Sequence, residues 1–210
     1  MSRWPSCTMV VSRPRRRTHH STGLREKPRR PVNSNVRAHQ MPRTPNSSFD
    51  AIDWMVGRQP GLAQYLRFDP QPLLHFALMW NMFEAEVCDC SASVTKLRTV
   101  ANTLASRDFA GHPQAVSFLT FLRERYWAKT GPTDYMFGLR FRTEEERCLV
   151  SEVLSAQKPS PPESIFAQLL VVYRYRNNTF HGLKSIAEIF GSSILFDQSA
   201  RFLAAALEAG

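Results

Sequence analysis

The chain has 210 residues, 43% of them hydrophobic, and a formal net charge of +9; that length holds one ordinary domain with a stable core plus a tail. No apolar run approaches the ~20 residues of a membrane span, which excludes a spanning helix and leaves a protein of the cytoplasm as the expectation. Residues 1–48 carry 11 Lys and Arg against Glu26 alone, whereas the rest carries 16 Lys and Arg against 17 Asp and Glu, so the high isoelectric point is no argument that the domain binds nucleic acid.

In chain order, residues 1–48 combine Arg15-Arg16-Arg17 and Arg29-Arg30 with six prolines and no apolar periodicity. This composition predicts a disordered Arg/Pro-rich tail ahead of a domain over 49–210. An organelle-targeting segment, or a start at Met41, fits the same residues. Ser47-Ser48 predicts a cap for a short helix from Phe49 to about Val56, and a second short piece covers about 61–68. Leu73, Phe76, Ala77, Trp80 and Phe83 then give a helix to about Cys88 a broad apolar face. Ser91 or Ser93 starts a helix to about Ser106, and His112-Pro113 starts another that reaches Trp127 and stops at Gly131-Pro132. Tyr135-Met136-Phe137-Gly138-Leu139 is the one candidate strand. Thr143 with Glu146 reads as a capping box for a helix to about Ala156. Pro161 or Pro162 opens a helix through Ile165, Leu169, Val172 and Tyr173 that Gly182 ends. A final helix, about Ser185 to Ala209, is expected to kink at Gly191-Ser192-Ser193. The fold class predicted is all-α, a bundle of four to five main helices. Cys88, Cys90 and Cys148 show no paired CxxC spacing and read as small core residues, so neither a metal nor a cofactor is expected.

The densest chemistry lies at Tyr173-Arg174-Tyr175-Arg176-Asn177-Asn178-Thr179-Phe180-His181-Gly182. Arginine is a permanent, forked cation suited to phosphate oxygens, and histidine exchanges protons near neutrality. Asn177 and His181 are i and i+4 and share one helix face. Arg176 and His181 are about 140° apart on an ideal helix, but His181 falls in the last turn, where geometry loosens. The same residues also suit an ordinary polar helix end, with Arg176 pairing an acid and His181 meeting the last carbonyls. Glu84 and Glu86 on the early helix are candidate partners for Arg176 or His181. Tyr173, Tyr175 and Phe180 suit either base stacking or the core.

Arg176-Asn177-Asn178-Thr179-Phe180-His181-Gly182 resembles the Arg-x4-His signature of HEPN domains, in the form ending Phe-His-Gly found in a bacterial branch. The Leu74–Val87 helix and the amphipathic helix after the motif extend the likeness over about residues 70–208. The resemblance implies a HEPN-like helical bundle that pairs as a homodimer, with two motifs meeting in one cleft that cleaves RNA without a metal. It implies that His181 moves protons at the 2′-hydroxyl or leaving oxygen, Arg176 stabilises the charged phosphorane and Asn177 orients His181 or the phosphate. Asn178, Arg174 and Lys184 are the accompanying candidates for RNA binding. Such a nuclease belongs to defence, toxin–antitoxin or stress biology, with an antitoxin or other protein as partner. Toxins silenced by nucleotide transfer carry a tyrosine two positions after the histidine; here that position is Leu183, so that silencing is not expected. A non-catalytic HEPN-like module binding nucleotide, RNA or protein is the alternative.

Overall fold

The computed structural model describes residues 49–65 and 69–210; the tail expected over 1–48 lies outside them. The described chain is helical apart from one small hairpin. α1 (Ala51–Arg58) is capped by Asp50, whose carboxylate accepts from the amides of Ile52 and Asp53, so the start lies two to three residues beyond the expected serine cap. A 3₁₀ turn, Pro60–Tyr65, leads to α2 (Gln71–Val87). α3 (Val94–Ala105) starts at Ser93, which accepts from Lys96 N. α4 (Pro113–Tyr126) is capped by His112, whose Nδ1 accepts from Gln114 N at 3.2 Å.

The chain then turns through β1 (Trp127–Ala128) and β2 (Gly131–Pro132), paired antiparallel with Trp127 opposite Pro132. Gly131, at φ 123, takes a backbone conformation that other residues avoid. The candidate strand over 135–139 is instead α5 (Asp134–Phe137), a single turn that buries Met136. Its apolar alternation was too short to separate strand from turn, and Asp134 supplies an acidic first turn. α6 (Glu144–Ser155) follows its Thr143 cap. α7 (Pro161–Phe180) runs into α8 (Ile186–Phe190), and α9 (Ser193–Ala209) closes the chain. The expected kink at 191–193 is a full break between α8 and α9. Six described helices have twelve residues or more, where four to five main helices were expected.

α7 is the centre of the bundle. Every residue from Ser164 to Val172 is buried, so the helix is apolar nearly all round and must be enclosed. α3 packs on it most extensively, with α6 and α4 beside it, while α9 packs against α2 and α4. Aromatic rings fill the joints: Phe76 lies 5.4 Å from Phe196, Phe118 lies 4.8 Å from Phe202, and Tyr175 meets Phe196 edge-on at 5.3 Å. α2 runs antiparallel to the second half of α7, because Phe76 stacks on Phe180, Trp80 faces Tyr173 and Arg176, and Glu84 reaches Arg176. No described helix is long and apolar enough to cross a membrane.

Candidate functional site

The motif occupies the last turns of α7 and the chain just beyond. His181 is the C-cap, and its amide donates to Asn177 O at 3.0 Å. Gly182 follows at φ 70, the left-handed conformation that lets the chain reverse. The amides of Leu183 and Lys184 then donate to Asn178 O at 3.1 and 3.2 Å, so the helix ends in a Schellman-type closure. The side chain of Asn178 points inward and donates to Leu139 O at 2.8 Å and Gly138 O at 3.2 Å. One residue thus ties the end of α7 to the loop after α5.

Arg176 is half-buried, its side chain 27% exposed. Its Nη2 approaches Glu84 Oε2 at 3.5 Å, its Nη1 donates to Asn177 Oδ1 at 3.1 Å, and the guanidinium lies 5.6 Å from the Trp80 ring. Its Nε is buried and has no acceptor. Glu84 is itself fixed, since Oε2 accepts from Trp80 Nε1 at 2.9 Å and Oε1 accepts from Ala92 N at 3.0 Å. Tyr173 stacks on Trp80 and completes the wall by donating to Ala92 O at 3.4 Å. His181 is exposed, flanked by exposed Phe180 and Leu183. Arg176 and Asn177 are therefore brought together and anchored on α2, while His181 stands at the surface of the same helix end.

Two candidates for RNA contact are corrected. Arg174 is 2% exposed, and its guanidinium makes a two-pronged pair with Glu146, with Nε donating to Oε2 at 2.9 Å and Nη2 facing Oε1. Asn178 is 4% exposed and its amide is consumed by the two loop carbonyls. Both side chains hold the bundle together and neither is presented to a ligand. Glu146 also departs from the expected capping box: Thr143 Oγ1 accepts from Glu146 N, but the Glu146 carboxylate accepts from Arg142 N and pairs with Arg174. Lys184 is partly exposed, with Nζ 5.0 Å from the Tyr175 ring; burial, the largest cause, moves its pKa below the usual lysine range. Glu86 is exposed, as is His75.

Of the cysteines, Cys88 is buried, and burial with the nearby Glu84 charge pushes its thiol up to about 11. Cys148 and Cys90 are exposed, and the Cys148 thiol lies 3.5 Å from Glu144. A cavity of about 570 Å³ between the starts of α3 and α6, and one of about 410 Å³ beside Arg125 and Tyr135, are lined by other residues than Arg176, Asn177 and His181.

Fold and site together define a helical bundle with a cation, an amide and an imidazole at the end of its central helix. No protein-family profile matches the chain, and it is similar to no curated protein and no solved structure.

Proposed function

We propose that the chain is a HEPN-type, metal-independent endoribonuclease that works as a homodimer and cleaves RNA through attack of the 2′-hydroxyl. The observation that carries this reading is the anchoring of Arg176: Glu84, Trp80 and Asn177 fix the guanidinium while its Nε lacks an acceptor, one turn from exposed His181. A buried donor left unmatched by the protein suits an acceptor brought by a ligand. Arginine and histidine supply what the reaction asks for. A base takes the 2′ proton, the 2′-oxygen bonds to phosphorus, the P–O5′ bond breaks and an acid protonates the departing 5′-oxygen. A 2′,3′-cyclic phosphate and a 5′-hydroxyl result, so RNA and not DNA is the substrate.

Pairing is supported by the apolar side chains around the site. Phe180 is 48% exposed beside His181, Leu183 is similarly exposed, and Leu74, Leu78 and Met82 recur every four residues on the outer face of α2. A twin subunit covering them would bring a second Arg176 and His181 to the same cleft. Defence, toxin–antitoxin or stress biology, with an antitoxin or other protein as further partner, is the setting this activity fits.

The test is digestion of a mixed RNA pool in the presence of chelator. Wild type should cut and leave cyclic phosphate ends, and His181→Ala should lower the rate by about 10²-fold or more with an unchanged helical circular dichroism spectrum. Equal cutting by His181→Ala removes the proposal. The Glu84–Arg176 pair favours a second reading, a non-catalytic module in which Arg176 ties α7 to α2. That reading predicts no cutting by wild type and tolerance of Arg176→Lys.

A further inference from the structure

α3 and α6 both pack on α7 and hardly touch each other, so their first turns leave a cavity of about 570 Å³ beside Phe166. That size falls within the range of small-molecule sites, about 300–1,000 Å³. Val94 and Leu149, each half-buried against the core, supply apolar walls, and Phe166, 3% exposed, supplies the floor. Phe166 comes ten residues before Arg176 on α7, about 15 Å along the helix. The cavity is therefore separate from the helix end that carries Arg176 and His181.

Two opposite charges line this cavity without meeting. The Arg98 guanidinium lies 3.8 Å from the centre of the Phe166 ring, and Arg98 forms no ion pair among the described residues. An arginine laid on an aromatic ring still presents its N–H edge to a planar anion. Glu145 lines the same cavity from α6 and does not pair with Arg98. Its own amide and the Thr143 hydroxyl donate to its carboxylate, which holds it below the usual carboxylate range. Glu146, also at the wall, is engaged elsewhere, because it pairs with Arg174 and accepts from Arg142 N. One cation and one anion thus stand apart over an apolar floor.

We propose that this cavity binds a small zwitterion with an apolar body, the class to which the apolar α-amino acids belong. The ligand's carboxylate meets Arg98, its ammonium meets Glu145, and its apolar part fills the space bounded by Val94, Leu149 and Phe166. Charge complementarity selects this class. A simple anion satisfies Arg98 and is repelled by Glu145, a simple cation does the reverse, and a neutral apolar molecule desolvates both charges and pairs neither. Binding here involves no RNA and stands whether or not the chain is a nuclease.

The full chain is titrated calorimetrically with L-leucine, L-phenylalanine and L-tryptophan. Each is compared with its amide, which lacks the carboxylate, with its N-acetyl form, which lacks the ammonium, and with glycine, which lacks the apolar body. Saturable binding of at least one of the three amino acids is expected, tenfold or more tighter than that of its two blocked forms and of glycine. Arg98→Gln and Glu145→Gln, both at exposed positions, should each weaken it tenfold or more with an unchanged helical circular dichroism spectrum. Arg201→Gln, in the exposed pair with Asp197, should leave it unchanged. Glu145→Gln leaves the Arg98–Phe166 stack in place, so its effect reads the charge and not the floor. No saturable binding of any of the three overturns the proposal, as does equal binding of either blocked form or equal binding by either cavity variant.

Discussion

Arg174 and Arg176 are two residues apart on one helix and serve different ends. Arg174 is enclosed with Glu146, so removing either partner strands a charge in the interior. Arg174→Ala is expected to lower unfolding stability by about 3–5 kcal/mol in urea titration. Arg176→Ala removes a long, partly exposed contact to Glu84 and should lower stability by about 1 kcal/mol or less while abolishing RNA cutting. Equal stability losses for the two variants would contradict this division. The sequence shows both arginines in one motif but cannot show which is buried, because Glu146 lies 28 positions away and no spacing rule links it to Arg174. Glu84 was within reach of sequence reasoning, since it lies on the same apolar-faced helix as Trp80, although its choice of Arg176 depends on how α2 crosses α7.

Helix limits were the most legible part at the level of elements, because capping residues state them locally. Ser93, His112, Thr143 and Gly182 stand where the helices begin or end. The segment over 135–139 was not legible, because five largely apolar residues fit strand and turn alike and burial of Met136 decides between them. α8 carries a full capping box, with Ser185 Oγ accepting from Glu188 N and the Glu188 carboxylate accepting from Ser185 N. These bonds from Ser185 hold the Glu188 carboxyl below its ordinary range. Its contribution is therefore fully present above about 4.5, the ordinary value, and is lost as pH falls through the lowered one. Ser185→Ala should cost about 0.5–2 kcal/mol near neutrality and less in acid, so that its melting curve converges on that of wild type as pH falls. A constant difference across the acid range would show that Glu188 is not coupled to the cap.

For the whole molecule, the all-α class follows from the repeated 3.6-residue periodicity, and the structure agrees. The order of packing does not follow from it, since the periodicity predicts four to five main helices and makes no statement of which one the others surround. The run Ile165–Val172 carries the clue, because a helix with no polar face must be central. The homodimer proposed for this chain is tested at the same scale. Leu183→Glu puts a charge on the apolar rim beside His181 and should turn a dimer into a monomer in sedimentation, with loss of cutting and unchanged helicity. Dimerisation that persists in this variant would move the interface elsewhere.

The enclosure of α7 has a consequence for how this protein can change over time. Adding or deleting one residue between Ile165 and Val172 would rotate everything downstream by about 100°, swinging Arg174 away from Glu146 and Asn178 away from its loop. No solvent-facing side exists there to absorb the slip. Lineages descended from this chain should accordingly tolerate length variation in the 156–160 connection and almost none inside the helix, a pattern that a deep insertion–deletion scan would reveal directly.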